Sequence, residues 1–119
     1  YWKAEEAFRK AVELDPQSGM CHSSLVGILR KLGREVEAAR QIEIARELIA
    51  KESAYNRACF EAICDNANEA LALLKMALEK REVSFEWAEH DPDFDSLRDD
   101  PRFAALIEEM KARFAAEQR

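Results

Sequence analysis

Apolar residues recur at spacings of three and four along most of the chain, and this period is typical of amphipathic helices. No stretch alternates between apolar and polar positions as a strand does. The pattern predicts helices over residues 1–14, 20–32, 35–51, 54–64 and 68–82, short helical pieces over 84–90 and 93–99, and a last helix from 101 through 114. The predicted fold class is therefore all-α.

The predicted helix ends coincide with residues that favour turns or caps. Pro16 cannot donate a backbone hydrogen bond and disfavours helical geometry in the residue before it, so the first helix should stop there. Gly33 is expected to end the second helix in a left-handed conformation. Ser53 and Asp100 are predicted N-caps, and Asp65 tolerates the left-handed geometry that a turn requires. A connection as short as the one at Gly33 predicts an antiparallel helix hairpin.

The helical pattern repeats along the chain. Ala38, Ile42 and Ala45 have counterparts 34 residues earlier and 32 residues later. The counterparts are Ala4, Phe8 and Ala11 on one side and Ala70, Leu74 and Ala77 on the other. Repeats of this length stack into solenoids, whose usual activity is binding other proteins.

Composition and charge exclude several classes of function. The chain has 119 residues, 48% of them hydrophobic, so it can bury a core. Its net charge of −6 comes without a basic stripe, which argues against nucleic-acid binding. No apolar run reaches the roughly 20 residues that span a bilayer. Three cysteines within helical patterns suit a reducing compartment, and the predicted location is the cytoplasm.

Residues with metal-binding or nucleophilic atoms are not spaced for chemistry. They are Cys21, His22, Cys59, Cys64 and His90, and no pair has a metal-ligand spacing. Cys59 and Cys64 should point in different directions on one helix, so a disulfide between them is not expected. Cys21 and His22 are adjacent and diverge by about 100° on a helix, so they do not form a nucleophile and base pair. The chain is predicted not to be an enzyme and to need no cofactor or metal.

Three aspartates near the end of the chain have the spacing that opens a calcium-binding loop. They are Asp91, Asp93 and Asp95. Ser96 stands where that loop needs glycine, and Arg102 stands where it needs a bidentate glutamate. The aspartates are therefore predicted to be solvated or to cap helices.

The repeat resembles the tetratricopeptide repeat family, whose unit is a helix-turn-helix of 34 residues. The complete unit, residues 19–52, matches the family pattern at Leu25, Leu29, Gly33, Glu37, Ala38, Ile42 and Ala45. Residues 1–18 resemble the second helix of a partial repeat, 53–82 a divergent repeat and 83–119 the closing segment of many bacterial members. The resemblance implies one domain, a right-handed superhelix of antiparallel helix hairpins with a C-terminal capping helix, in a bacterial protein.

Three positions depart from the family pattern. Val26 replaces a small residue, Asp65 replaces the turn glycine and Arg57 replaces a leucine. Arg57 either faces a partner or lies over the core with a salt bridge to Glu61.

The resemblance also implies a function, which is to bind a peptide or protein segment in a groove lined by the first helices of successive units. The positions that face such a groove are Met20, Ser23, Gly27, Arg30, Tyr55, Asn56 and Cys59. This mixed surface suits an extended peptide. The lysines and asparagines of the family's chaperone-tail clamp are not found at these positions, so chaperone binding is not expected.

The alternative is a structural role through self-association of the first helix. That helix should bury one face, formed by Ala4, Ala7, Phe8, Ala11, Val12 and Leu14. A chain that starts at Tyr1 without methionine is expected to be a fragment whose preceding helix lies upstream. Without that helix, apolar surface around Trp2, Phe8 and Val12 should be exposed, and a weak homodimer would cover it.

Overall fold

A computed structural model describes residues 2–118, except the side chain of Trp2. It is 79% helical, with no β-strand among the described residues. The α-helices are α1 (Trp2–Leu14), α2 (Gly19–Lys31), α3 (Glu35–Ile49), α4 (Ala54–Ile63), α5 (Ala67–Glu79), α6 (Phe85–His90) and α7 (Pro101–Glu117), with a 3₁₀ helix (Pro92–Leu97) before α7. The predicted all-α class is confirmed. None of these helices is long and apolar enough to cross a bilayer.

Side-chain caps begin four of the α-helices. The hydroxyl of Ser18 accepts a hydrogen bond from the backbone N–H of the residue three positions later, at 3.2 Å. Ser53 and Ser84 make the same bond at 3.2 and 3.1 Å. Asp100 accepts from the N–H of Arg102 at 2.9 Å, with proline at the first helical position. The predicted caps at Ser53 and Asp100 are confirmed, and each satisfies a backbone donor that has no partner inside its helix.

The hairpins α2/α3 and α4/α5 have the same turn. Gly33 and Asp65 occupy equivalent places with positive φ, 76° and 62°, as the sequence predicts. In each turn the next residue donates its N–H to the carbonyl five residues back, Arg34 to Leu29 at 2.9 Å and Asn66 to Glu61 at 2.9 Å. This is the Schellman arrangement, which satisfies carbonyls at the end of a helix. The two helices of each hairpin pack closely on one another.

The helices divide into two compact units, residues 1–52 and 53–119. In the N-terminal unit, α1 packs on α2 and α2 on α3. The core comprises buried Leu25, Ile28, Leu29 and Ala38, with Ala4, Phe8, Val12 and Leu32 packed against it.

The predicted apolar face of α1 is partly wrong. Ala7 is exposed and Leu14 is 78% exposed, because the buried stripe runs along Ala4, Phe8 and Val12 instead. Phe8 and Val12 are partly buried, so the structure reduces the exposed apolar surface expected there. The Trp2 side chain, which was part of that expectation, lies outside the described residues.

A buried carboxylate links α1 to the start of α3. Arg9 donates to Glu5 Oε2 at 2.9 and 2.6 Å, and Arg34 also donates to that oxygen. Arg9 further contacts Glu37 at 2.8 Å. The hydrogen bonds from Arg9 and the charge of Arg34 hold the pKa of Glu5 below its usual value. The carboxylate therefore stays charged at neutral pH and joins two arginines from different segments.

The C-terminal unit has the larger core. Here α4 packs on α5 and on the 3₁₀ helix, and α7 packs on α5 and α6. Side chains from every one of these elements meet in one cluster that includes Leu74, Phe94, Phe103 and Ile107. The Phe94 and Phe103 rings lie 6.0 Å apart. The segment after the repeat therefore completes the core of this unit.

Candidate functional site

The four predicted groove residues of α2 differ in accessibility. Met20, Gly27 and Arg30 are partly exposed, whereas Ser23 is 1% exposed. Ser23 therefore offers no area to a partner, which corrects its place in the predicted surface. Its hydroxyl is buried without a hydrogen-bond partner among residues 2–118. Such a group destabilises the fold by the cost of its lost hydration.

The three predicted groove residues of α4 take part in the structure of their own unit. The Tyr55 hydroxyl donates to Asp91 Oδ2, and its ring meets Phe94 edge to face with centroids 5.8 Å apart. Asn56 donates its backbone N–H to the Ser53 cap. Cys59 is 1% exposed and, like Ser23, offers no area to a partner. Tyr55 and Asn56 remain partly exposed.

The Asp91 carboxylate organises the surroundings of Tyr55 and Cys59. Its Oδ2 accepts from Tyr55 and lies 4.0 Å from the Cys59 sulfur, while its Oδ1 accepts from the Asp93 N–H at 3.0 Å. Burial and the hydrogen bond to Asp91 raise the pKa of Tyr55. Burial and the charges of Asp93 and Asp91 raise the pKa of the Cys59 thiol. Both groups are therefore protonated at neutral pH.

Cys59, Asp91 and Asp93 also form a cluster of potential metal ligands, with ligand atoms within 4.8 Å of one another. A metal would need the thiolate of Cys59, and its surroundings favour the thiol. Asp91 already accepts hydrogen bonds with both oxygens, and one of these caps the 3₁₀ helix. We interpret the cluster as a structural link between α4 and the 3₁₀ helix, in line with the predicted capping role of Asp91.

Both ring nitrogens of His22 have structural partners. The ring nitrogens of His22 lie 2.9 Å from Gln41 Oε1 and from the Pro16 carbonyl oxygen, so neither faces Cys21. All three cysteines are free thiols. The Glu61 carboxylate accepts from Asn66 at 3.0 Å. Arg57 forms no ion pair among residues 2–118, so the expected bridge between Arg57 and Glu61 is absent.

The C-terminal unit contains a cleft of about 480 Å³ where the ends of α5 and α7 meet the start of α6, and we call it the α5–α7 cleft. Its apolar lining includes Leu78, Val83, Phe85, Met110 and Phe114. The rings of Phe85 and Phe114 meet edge to face with centroids 5.9 Å apart. Phe114 is 45% exposed, so an aromatic surface faces solvent at the cleft. A concave site of this size and lining suits large apolar side chains of a ligand.

Charged residues surround this lining. They are Glu79, Arg81, Glu82, Glu86, Arg113 and Glu117. Arg113 pairs with Glu79 at 3.0 Å, and Arg81 pairs with Glu117. The α5–α7 cleft thus combines an apolar floor with a charged rim, which is the composition of many protein interfaces.

Comparison with models of protein families, with curated proteins and with solved structures finds no match to this chain.

Sequence reasoning missed the α5–α7 cleft because its walls come from three helices that are distant along the chain. A local signal was present in the last helix, where Met110 and Phe114 are four residues apart on one face. Val83 and Phe85 follow the last residue of the repeat, so the repeat pattern does not predict which residues they contact. Only the tertiary arrangement places the Phe85 and Phe114 rings together.

Proposed function

We propose that this chain is a protein-interaction module of the tetratricopeptide type, a right-handed superhelix of helix hairpins capped by α7, which binds a segment of a cytoplasmic partner protein. Two hairpins with the same Schellman turn, at Gly33 and Asp65, support a repeat architecture. The buried thiol of Cys59 and the engaged ring of His22 favour a binding role over a catalytic one.

The α5–α7 cleft is the observation that carries the proposal. Its apolar floor is accessible at Phe114, and burying such an aromatic ring contributes on the order of 2 kcal/mol to binding. The charged rim provides specificity around that floor. A partner protein supplies both kinds of contact through one amphipathic segment.

The accessible residues of α2 and those of α4 are further candidates for the same function, each within its own unit. They offer Met20, Gly27 and Arg30 in one unit and Tyr55 and Asn56 in the other. Tyr55→Ala is a poor test of the α4 residues, because it also removes the hydrogen bond to Asp91 and the ring contact with Phe94. Met20→Ala tests the α2 surface at a partly exposed side chain.

Site-specific photo-crosslinking tests the proposed function. A photoreactive phenylalanine analogue replaces Phe114 in the α5–α7 cleft, and a matched variant carries it at Val36, which is 71% exposed on α3. We expect the variant at position 114 to capture a discrete protein in cells that express this chain naturally. Capture of no protein, or of the same proteins at both positions, would contradict the assignment of the cleft.

Self-association through α1 is the second candidate function, and the exposed side chain of Leu14 favours it. A dimer of this kind would be concentration-dependent and weakened by Leu14→Ser. Light scattering coupled to size-exclusion chromatography measures the mass directly. A monomer at every concentration would exclude this role.

A further inference from the structure

The charges at the α5–α7 cleft are unevenly compensated. Four glutamates and two arginines line it, which gives a formal charge of −4 + 2 = −2. Both arginines are neutralised locally, because Arg113 pairs with Glu79 and with Glu109, and Arg81 pairs with Glu117. The negative charge of the cleft is therefore concentrated on the remaining two glutamates.

Those glutamates are Glu82 and Glu86, on either side of the start of α6. Glu82 Oε1 accepts from the backbone N–H of Tyr55 at 3.0 Å, and the side chain is exposed. Glu86 is exposed in the first turn of α6. Neither forms an ion pair among residues 2–118. Both carboxylates are available to a cation that approaches the apolar floor between Phe85 and Phe114.

The backbone requirements of an occupant further limit its form. An extended peptide that binds through its backbone pairs with a sheet edge, and the helices that form the α5–α7 cleft use their backbone groups within themselves. The Ser84 hydroxyl at the cleft already accepts from the Trp87 N–H. An α-helix satisfies its own backbone groups and presents apolar side chains along one face.

We propose that the α5–α7 cleft binds the apolar face of a basic amphipathic helix, with lysine or arginine of the partner beside Glu82 and Glu86. This inference rests on the proposed interaction function and adds the chemistry of the partner. The apolar anchors supply affinity by covering Phe85 and Phe114. The basic residues supply specificity, because a like-charged segment is repelled by the two uncompensated carboxylates.

Designed peptides test this chemistry directly. The probe is a fluorescently labelled helix of about 15 residues, roughly four turns, with leucines on one face and flanking lysines. One matched peptide has glutamate in place of each lysine, and another has serine in place of each leucine. Fluorescence anisotropy measures binding to the full chain at low and high salt.

We expect the lysine peptide to bind, and the glutamate and serine peptides to bind at least about tenfold more weakly. Added salt should weaken binding of the lysine peptide. The variant Glu86→Lys should shift the preference towards the glutamate peptide. Glu35→Lys is the matched control, because Glu35 is also exposed in the first turn of a helix and lies in the N-terminal unit. It should leave the preference unchanged.

Equal affinity for the lysine and glutamate peptides, or no binding of either, would overturn the inference. An equal effect of Glu86→Lys and Glu35→Lys would also overturn it, because the preference would then follow net charge and not the cleft. The proposed function is judged separately by crosslinking at position 114. If the crosslinked partner contacts the cleft through an acidic segment, the proposed interaction function stands, but the proposal of a basic helix is refuted.

Discussion

Asp91 shows how one side chain can connect distant parts of a unit. Its carboxylate accepts from the Tyr55 hydroxyl on α4 and from the Asp93 N–H at the start of the 3₁₀ helix. Its backbone carbonyl accepts from Arg98 at 2.8 Å. Charge-assisted hydrogen bonds of this kind are stronger than neutral ones. Asp91 therefore fixes the segment after α6 against α4.

Tyr55→Phe should weaken this connection while keeping the ring contact with Phe94. We expect the free energy of unfolding at neutral pH to fall by roughly 1–2 kcal/mol, because a hydrogen bond to a carboxylate is lost. Urea unfolding followed by circular dichroism measures this change. Trp87→Phe is the control, because it changes an aromatic side chain of the same unit that is 66% exposed, and it should have a smaller effect.

The same variant should change the response to alkaline pH. The pKa of Tyr55 is raised in the folded state, so its contribution to stability is complete below the unfolded pKa of about 10 and decreases as pH rises above that value. Tyr55→Phe removes this decrease, and making the comparison in a Cys59→Ala background removes the contribution of the thiol, whose pKa responds to Tyr55. Parallel loss of stability above about pH 10 in wild type and variant would contradict the raised pKa.

Ser23→Ala should stabilise the protein, since it removes a buried hydroxyl that has no hydrogen-bond partner among the described residues. Ser24→Ala is the matched control, because it makes the same change on α2 at a partly exposed position. We expect the free energy of unfolding to be about 1 kcal/mol higher for Ser23→Ala than for Ser24→Ala. Equal effects in chemical denaturation would show that the hydroxyl is satisfied in solution.

At the scale of helices, local signals predicted most boundaries and failed where a boundary has no sequence signature. Ser53 and Asp100 cap the helices that they were expected to cap, because capping needs only a few neighbouring residues. The fifth helix was predicted to reach Glu82 but ends at Glu79. Arg81 takes a left-handed conformation there, with φ 59°, and arginine does not signal such a turn.

Gly19 has a packing role that its sequence context does not indicate. The predicted second helix begins at residue 20, but Gly19 is the first residue of α2. A Cβ atom there would lie 2.9 Å from the backbone N and Cα of Ile49 on α3. Because the obstacle is backbone, no side-chain rotation relieves it, and the two helices need glycine to approach this closely.

Gly19→Ala should therefore destabilise the N-terminal unit by about 1–3 kcal/mol through overpacking, as measured by thermal or urea unfolding. Gly33 provides a comparison, because it has open space and a φ of 76°. Asparagine tolerates that conformation, so Gly33→Asn should be milder than Gly33→Ala. At Gly19 the order should reverse, with asparagine worse than alanine. The same order at both sites would refute the packing explanation.

At the scale of the whole molecule, the sequence predicts the two hairpins better than it predicts which of their residues are accessible. Ala38 and Ala70 lie 32 residues apart in two hairpins that have the same turn. Local sequence patterns are sufficient to predict both hairpins. Accessibility depends on neighbours distant in sequence, so Ser23 and Cys59 were placed on a surface although they are buried. The α5–α7 cleft cannot be predicted from local patterns for the same reason.

The two units differ in the size of their cores. Among the described residues, fifteen buried residues form the main cluster of the C-terminal unit, whereas four form that of the N-terminal unit, which also buries Val26, Ala45 and Ile49. A small domain is stable only when its core offsets the loss of chain entropy. A fragment of residues 53–119 begins at the Ser53 cap and contains every residue that lines the α5–α7 cleft. It therefore retains both a core and the proposed site.

We expect the 53–119 fragment to be helical by circular dichroism, to unfold cooperatively and to bind the lysine peptide within about threefold of the full chain, a difference below 1 kcal/mol. The 1–52 fragment should show no cooperative transition. Leu74→Ala is the control for a specific core, because Leu74 is fully buried and its truncation costs about 2–5 kcal/mol. A disordered 53–119 fragment would mean that its core depends on residues 1–52. A folded fragment without peptide binding would separate the fold of this unit from the proposed use of its cleft.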